Sequence, residues 1–138
     1  APCLAGRPMS ARSLLIFACA AGGLAVALGA FGAHGLKGTL SPESLVSFEA
    51  GVRYQFVHVL AIFVAVWLAD RSGLSLPLLA GGLFTAGILL FSGSIYLLAT
   101  RTLLGIESWR WLGPITPLGG LCFIAGWVML LVAVLRKG

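Results

Sequence analysis

Charge is what this sequence has least of: nine basic and four acidic residues stand among 138, or 9% of the chain. An ordinary soluble domain carries about a quarter. The carboxylates of Glu43, Glu49, Asp70 and Glu107 all fall outside the apolar stretches described below. A serine beside a histidine there would therefore lack the orienting acid of a catalytic triad, and the four form no recognisable acid–base or metal-binding pair. Cysteine is also sparse. Cys3, Cys19 and Cys122 are odd in number, widely spaced and without a C-x-x-C, which argues against a disulfide framework or a zinc site and leaves them as packing residues. The two histidines are too few to hold a redox-inactive metal alone. No glycine-rich phosphate loop occurs, and no basic stripe interleaved with exposed aromatics suggests nucleic acid.

What remains is apolar. Hydrophobic residues make up 59% of the chain, and mean hydropathy is +1.06. With the charges as punctuation, four hydrophobic stretches emerge, at about 13–33, 55–69, 76–100 and 113–135. Each approaches the roughly 20 residues that a helix needs to cross a bilayer core of about 30 Å. The second is short alone, but Leu45, Phe48, Val52, Phe56 and Val59 recur ahead of it at helical spacing, and Ser41 with Pro42 makes a good helix start. Residues 41–53 thus read as an amphipathic lead-in, with Gly51 as a bend. An open sheet cannot satisfy its backbone in lipid. The expected fold is an all-α integral membrane four-helix bundle with a short amphipathic helix before the second span. It forms one domain, 13–138, behind a disordered tail, 1–12.

The run after Arg7 and Arg12 is long for the apolar core of a signal peptide, so it reads as a retained span. Four spans put both termini on one side. That side carries Arg7, Arg12, Arg71, Arg136 and Lys137, against Lys37, Arg53, Arg101 and Arg110 opposite. The margin is narrow, but the flanking and terminal clusters favour cytoplasmic termini in a bacterial inner membrane.

Helices in lipid associate through close approach at small residues. Gly22 and Gly29 lie in a small-residue stripe of the first span, Gly82 and Gly93 in the third, and Gly119 and Gly126 in the fourth. These are the expected packing positions. The polar groups that reach membrane depth gather in one leaflet: His34 ends the first span, and Tyr54, Gln55 and His58 lie near the start of the second. Ser92, Ser94 and Tyr96 sit in the outward half of the third, and Thr116 enters with the fourth. Buried polar residues in membranes face the bundle interior or a water-filled cavity. The set is therefore either a seam of interhelical hydrogen bonds or a site. On the first reading Trp109, Trp111 and Tyr96 are interface anchors and Trp127 is packing. His34 and His58 are expected at similar depth on adjacent helices, an arrangement that could in principle ligate a b-type haem. No other haem signature is present, and no cofactor is expected.

Four segments, "GAFGAHGL" at 29–36, "VRYQFVHVLAI" at 52–62, "LLFSGSIYLL" at 89–98 and "ITPLGGLCFIAGW" at 115–127, resemble the signature segments of the YgdD-type small membrane proteins. That family is catalogued as domain of unknown function 423 and is related to mitochondrial transmembrane protein 256. The resemblance covers residues 13–135 and leaves "APCLAGRP" outside it. It implies a four-span inner-membrane protein with His34, Tyr54, His58, Ser94, Tyr96 and Pro117 among its signature positions, and it implies no activity. The expectation is a non-enzymatic structural or accessory component. Its partners would be the lipid bilayer, a larger membrane complex or further copies of itself. A small transporter or channel using the polar cluster is the main alternative, and a haem- or quinone-binding protein the next.

Overall fold

In the computed structural model, residues 9–137 are described, and their architecture is helical throughout. The first eight residues of the expected tail lie outside the described residues, and the first helix already begins at Ala11. Helix α1 spans Ala11–His34, α2 Pro42–Ser72, α3 Leu76–Ala99, α4 Arg101–Leu104 and α5 Leu112–Lys137. All but the four-residue α4 are long and apolar enough to cross a membrane.

Local chemistry sets the helix ends. Ser10 caps α1 by accepting the Ser13 amide at 3.2 Å, and Ser41 caps α2 in the same way from Ser44, with Pro42 in the first turn. Both supply an acceptor to amides that have no partner within the helix. At the other end of α2, Gly73 adopts φ 71°, a left-handed conformation that stops the helix at little cost.

The main departure from expectation is α2. The lead-in 41–53 and the span 55–69 form one continuous helix of 31 residues, about 46 Å long. Gly51 is a contact and not a bend: a methyl there would stand 2.8 Å from the Tyr96 ring. Of the apolar positions that suggested the amphipathic lead-in, Phe48, Val52 and Val59 are buried against neighbours, whereas Phe56 is exposed. Phe48 and Val52 join Ala99 and Leu36 in a small core at the end of the bundle remote from the termini. Leu36 reaches that core because the chain reverses after α1 through Gly38, at φ 85°.

Helix α2 packs against α1 and α3, and α3 against α5, while α1 and α5 have no Cα atoms within 8 Å of one another among the described residues. The α2–α3 pair is thus central. Leu14, Ala18, Ile62, Ala65, Ala80, Phe84, Phe123 and Leu130 fill the main core, whereas Ile16, Leu24, Leu60, Leu89, Leu121 and Leu131 point outward. Large apolar side chains thus occupy both the core and the outer surface, as suits a lipid solvent, and Ala18, Ala65 and Ala80 in the core allow the close backbone approach that drives association.

Candidate functional site

Alongside α1, α2 runs antiparallel in a register fixed by small residues: Gly22 faces Val59, Gly29 faces Val52 and Gly32 faces Phe48. The polar side chains of α2 then meet α3 and α5 in a seam that runs from the loop end to mid-bundle. At its top, Ser94 Oγ lies 2.6 Å from Thr116 Oγ1 and donates to the Phe91 carbonyl at 3.0 Å. The serine has one proton and the carbonyl can only accept, so Thr116 is the donor of the pair. Below it, Ser92 donates to the Gly51 carbonyl at 2.8 Å. Next, Tyr96 donates to Gln55 Oε1 and Gln55 Nε2 donates to the Ala21 carbonyl, each at 2.7 Å, which joins α3, α2 and α1.

His58 closes the seam at mid-depth. Its Nδ1 lies 2.7 Å from the Tyr54 carbonyl and its Nε2 lies 3.2 Å from the Trp127 indole nitrogen. Its ring stacks on Phe123 with centroids 3.5 Å apart and planes 8° from parallel, with Phe84 at 5.5 Å. Aromatic walls and two filled nitrogens hold the imidazole in place.

His34 is not part of this arrangement. It is exposed at the end of α1, and the α1–α2 register sets it level with Val46, about 18 Å along the bundle from His58. The expectation of equal depth is overturned because α2 begins at Pro42 at the loop end and its first four turns pack beside α1, so His58 falls at mid-bundle and not near the outer end. The two imidazoles cannot share an iron, and the haem alternative loses its ligand pair. Tyr54 contributes its carbonyl and a ring, not a hydroxyl: its side chain is 43% exposed and packs 4.7 Å from Phe91. Gln55, His58, Ser92, Ser94, Tyr96 and Thr116 are all brought into the seam.

Of the glycines, a methyl on Gly119 would collide with the Phe91 backbone, and one on Gly126 would stand 2.6 Å from the Phe84 ring. Gly22 and Gly29 lie at ordinary contact distance, with 3.4 and 3.5 Å to the nearest valine atoms, while Gly82 and Gly93 face open space and pack nothing. The close approach at Gly119 meets a π-helical turn, Ile88–Ser92, in α3. Such bulges shift the register of the helix around them, and this one brings both Ser92 and Ser94 onto buried sites.

Trp127, expected as a packing residue, is instead the hydrogen-bond donor to His58. A signal was present: tryptophan prefers the membrane interface, whereas this one lies near the middle of the fourth stretch, where an indole N–H needs an acceptor. The chemistry available is limited. All four carboxylates are exposed, and among the described residues no three His, Cys, Asp or Glu side chains are grouped to hold a metal ion.

Most of the seam, though not Ala21 or Trp127, falls in a stretch that a family profile matches. A family profile described as "Protein of unknown function (DUF423)" matches residues 28–120. The chain belongs to the DUF423 family. Among similar proteins, the UPF0382 membrane protein YwdK of Bacillus subtilis is 48% identical over 114 residues, covering 82% of this chain and 88% of that protein. The UPF0382 inner membrane protein YgdD of Escherichia coli is 40% identical over 129 residues, covering 93% of each. A Staphylococcus haemolyticus UPF0382 membrane protein is 40% identical over 113 residues, covering 82% of this chain and 87% of that protein. No solved structure matches. With relatives named as membrane and inner-membrane proteins and four helices of spanning length, this DUF423 protein is a multi-pass inner-membrane protein of unknown activity.

Proposed function

We propose that the protein is a non-enzymatic accessory component of the inner membrane, binding lipids or other membrane proteins, and not a transporter. One observation carries this reading: the seam spends its polar groups on helix–helix contacts. Among the described residues no buried side-chain nitrogen or oxygen lacks a hydrogen-bond partner. A transport pathway needs groups free to exchange partners with a passing solute. His58 and Gln55 are instead engaged on both sides by groups of their own chain. The exposed carboxylates supply no acid or base within the bundle, which supports the non-enzymatic reading.

The test is flux. Purified protein reconstituted in liposomes should pass protons, sodium, potassium and small amines no faster than protein-free liposomes. Under gentle extraction from native membranes it should also migrate above the size of a lone chain in its micelle. Flux above background that falls in Gln55→Leu or His58→Leu would overturn the accessory reading in favour of transport.

A further inference from the structure

At the loop end of the bundle the starts of α2 and α5 and the end of α3 diverge around a cleft of about 510 Å³. That volume lies within the ~300–1,000 Å³ span of small-molecule sites. Its lining is graded. Glu43 and Arg101, both exposed, supply one charge of each sign. The hydroxyls of Ser44, Ser47 and Thr116 add polar groups, and Leu98 is among the apolar side chains completing the wall. The gradient parallels the bilayer itself, because helices of spanning length place their ends in the headgroup region. Trp109 and Trp111 stack with centroids 5.4 Å apart in the neighbouring loop, the depth at which tryptophan anchors a protein.

We propose that this cleft binds the headgroup of a phospholipid bearing a phosphate and a primary ammonium, as in phosphatidylethanolamine. The proposal rests on the accessory reading and names the lipid. Arg101 matches the phosphate, since a guanidinium presents a planar fork of donors to its oxygens. Glu43 matches the ammonium. The Thr116 oxygen, whose proton is committed to Ser94, remains an acceptor for a further N–H. A purely anionic headgroup would satisfy Arg101 but bring no ammonium of its own to the Glu43 carboxylate. A quaternary ammonium is recognised by aromatic faces, and among the described residues no aromatic side chain lines the cleft. The glycerol and upper acyl chain would leave past Leu98 toward lipid.

The experiment is native mass spectrometry of the full chain from micelles doped equally with dioleoyl phosphatidylethanolamine, phosphatidylcholine and phosphatidylglycerol. The expected result is that phosphatidylethanolamine is retained about fivefold over either competitor, a difference of about 1 kcal/mol. Arg101→Gln should abolish that preference, and Glu43→Gln should bring phosphatidylglycerol level with phosphatidylethanolamine. Lys37→Gln, a cation at the same end but outside the cleft, should change nothing. Equal retention of the three lipids by the native chain would overturn the proposal, as would a Lys37→Gln effect equal to that of Arg101→Gln. Both cleft side chains are exposed, and unfolding curves superimposable on the native one would show that the variants report binding and not loss of fold. Failure here leaves the absence of flux untouched, whereas flux in liposomes would overturn the accessory reading whatever the lipid preference.

Discussion

Trp127 donates its indole N–H to Nε2 of His58 across 3.2 Å, and that contact decides where the imidazole carries its proton. An indole nitrogen can only donate and a carbonyl can only accept. Nε2 must therefore be the bare nitrogen, and Nδ1 must carry the hydrogen that points to the Tyr54 carbonyl at 2.7 Å. Nitrogen NMR of histidine-labelled protein should show His58 as the neutral Nδ1–H tautomer, and Trp127→Phe should disturb its Nε2 resonance. A spectrum dominated by the Nε2–H form would rule out the contact. Trp127→Phe should also lower stability by about 1–3 kcal/mol, because it leaves a buried acceptor unpaired.

Two glycines of similar appearance in sequence should respond unequally to the same substitution. Gly119 abuts the Phe91 backbone, which cannot step aside as a side-chain tip could, whereas Gly93 faces open space. Gly119→Ala is expected to cost about 1–3 kcal/mol, the range for overpacking. Gly93→Ala should fall within about 0.5 kcal/mol of the native protein. Equilibrium unfolding in mixed micelles measures both, and equal stabilities would remove Gly119 from the packing contacts.

That contrast also shows what could be read in advance. The four spans were legible because lipid demands length and low charge, and the polar residues of α2 and α3 were legible as a seam because hydrocarbon leaves unpaired polar groups few options. Depth was not. Nothing in the composition of 41–53 distinguishes an amphipathic helix lying on a membrane from one packed upright against a neighbour, since both bury one face. That ambiguity displaced His58 by several turns and falsely paired it with His34. Nor could spacing tell Gly82 and Gly93 from Gly119 and Gly126. A π-helical turn within α3 rotates everything after it, and no local sequence rule announces it. Trp127 was hidden by the assumption that an aromatic in a span is packing.

The Tyr96–Gln55–Ala21 chain spans three helices, yet its worth should be small. Interhelical hydrogen bonds in membranes average about 0.6 kcal/mol and reach about 1.7, because the unfolded state in the membrane also finds partners. A double-mutant cycle with Tyr96→Phe and Gln55→Leu should return a coupling in that range. Zero coupling would show that the 2.7 Å contact between Tyr96 and Gln55 contributes no stability.

The placement of the cations predicts an orientation. Arg71 ends α2, Arg136 and Lys137 end α5, and Lys137 Nζ donates to the Arg71 carbonyl at 2.9 Å, so these three basic residues converge at the terminal end. Arg12, in the first turn of α1, lies at the same end. At the opposite end Lys37 and Arg110 occupy separate loops and Arg101 starts α4, while Arg53 is carried within α2 beside Tyr54 and His58. Positive residues close to span ends are retained on the cytoplasmic side, so the cluster predicts cytoplasmic termini and places the seam's upper half in the outer leaflet. Green fluorescent protein fused after Gly138 should fluoresce, and alkaline phosphatase at the same point should be inactive. Active phosphatase with a dark fluorophore would reverse the assignment, and the graded cleft at Glu43 and Arg101 would then sample lipids of the cytoplasmic leaflet.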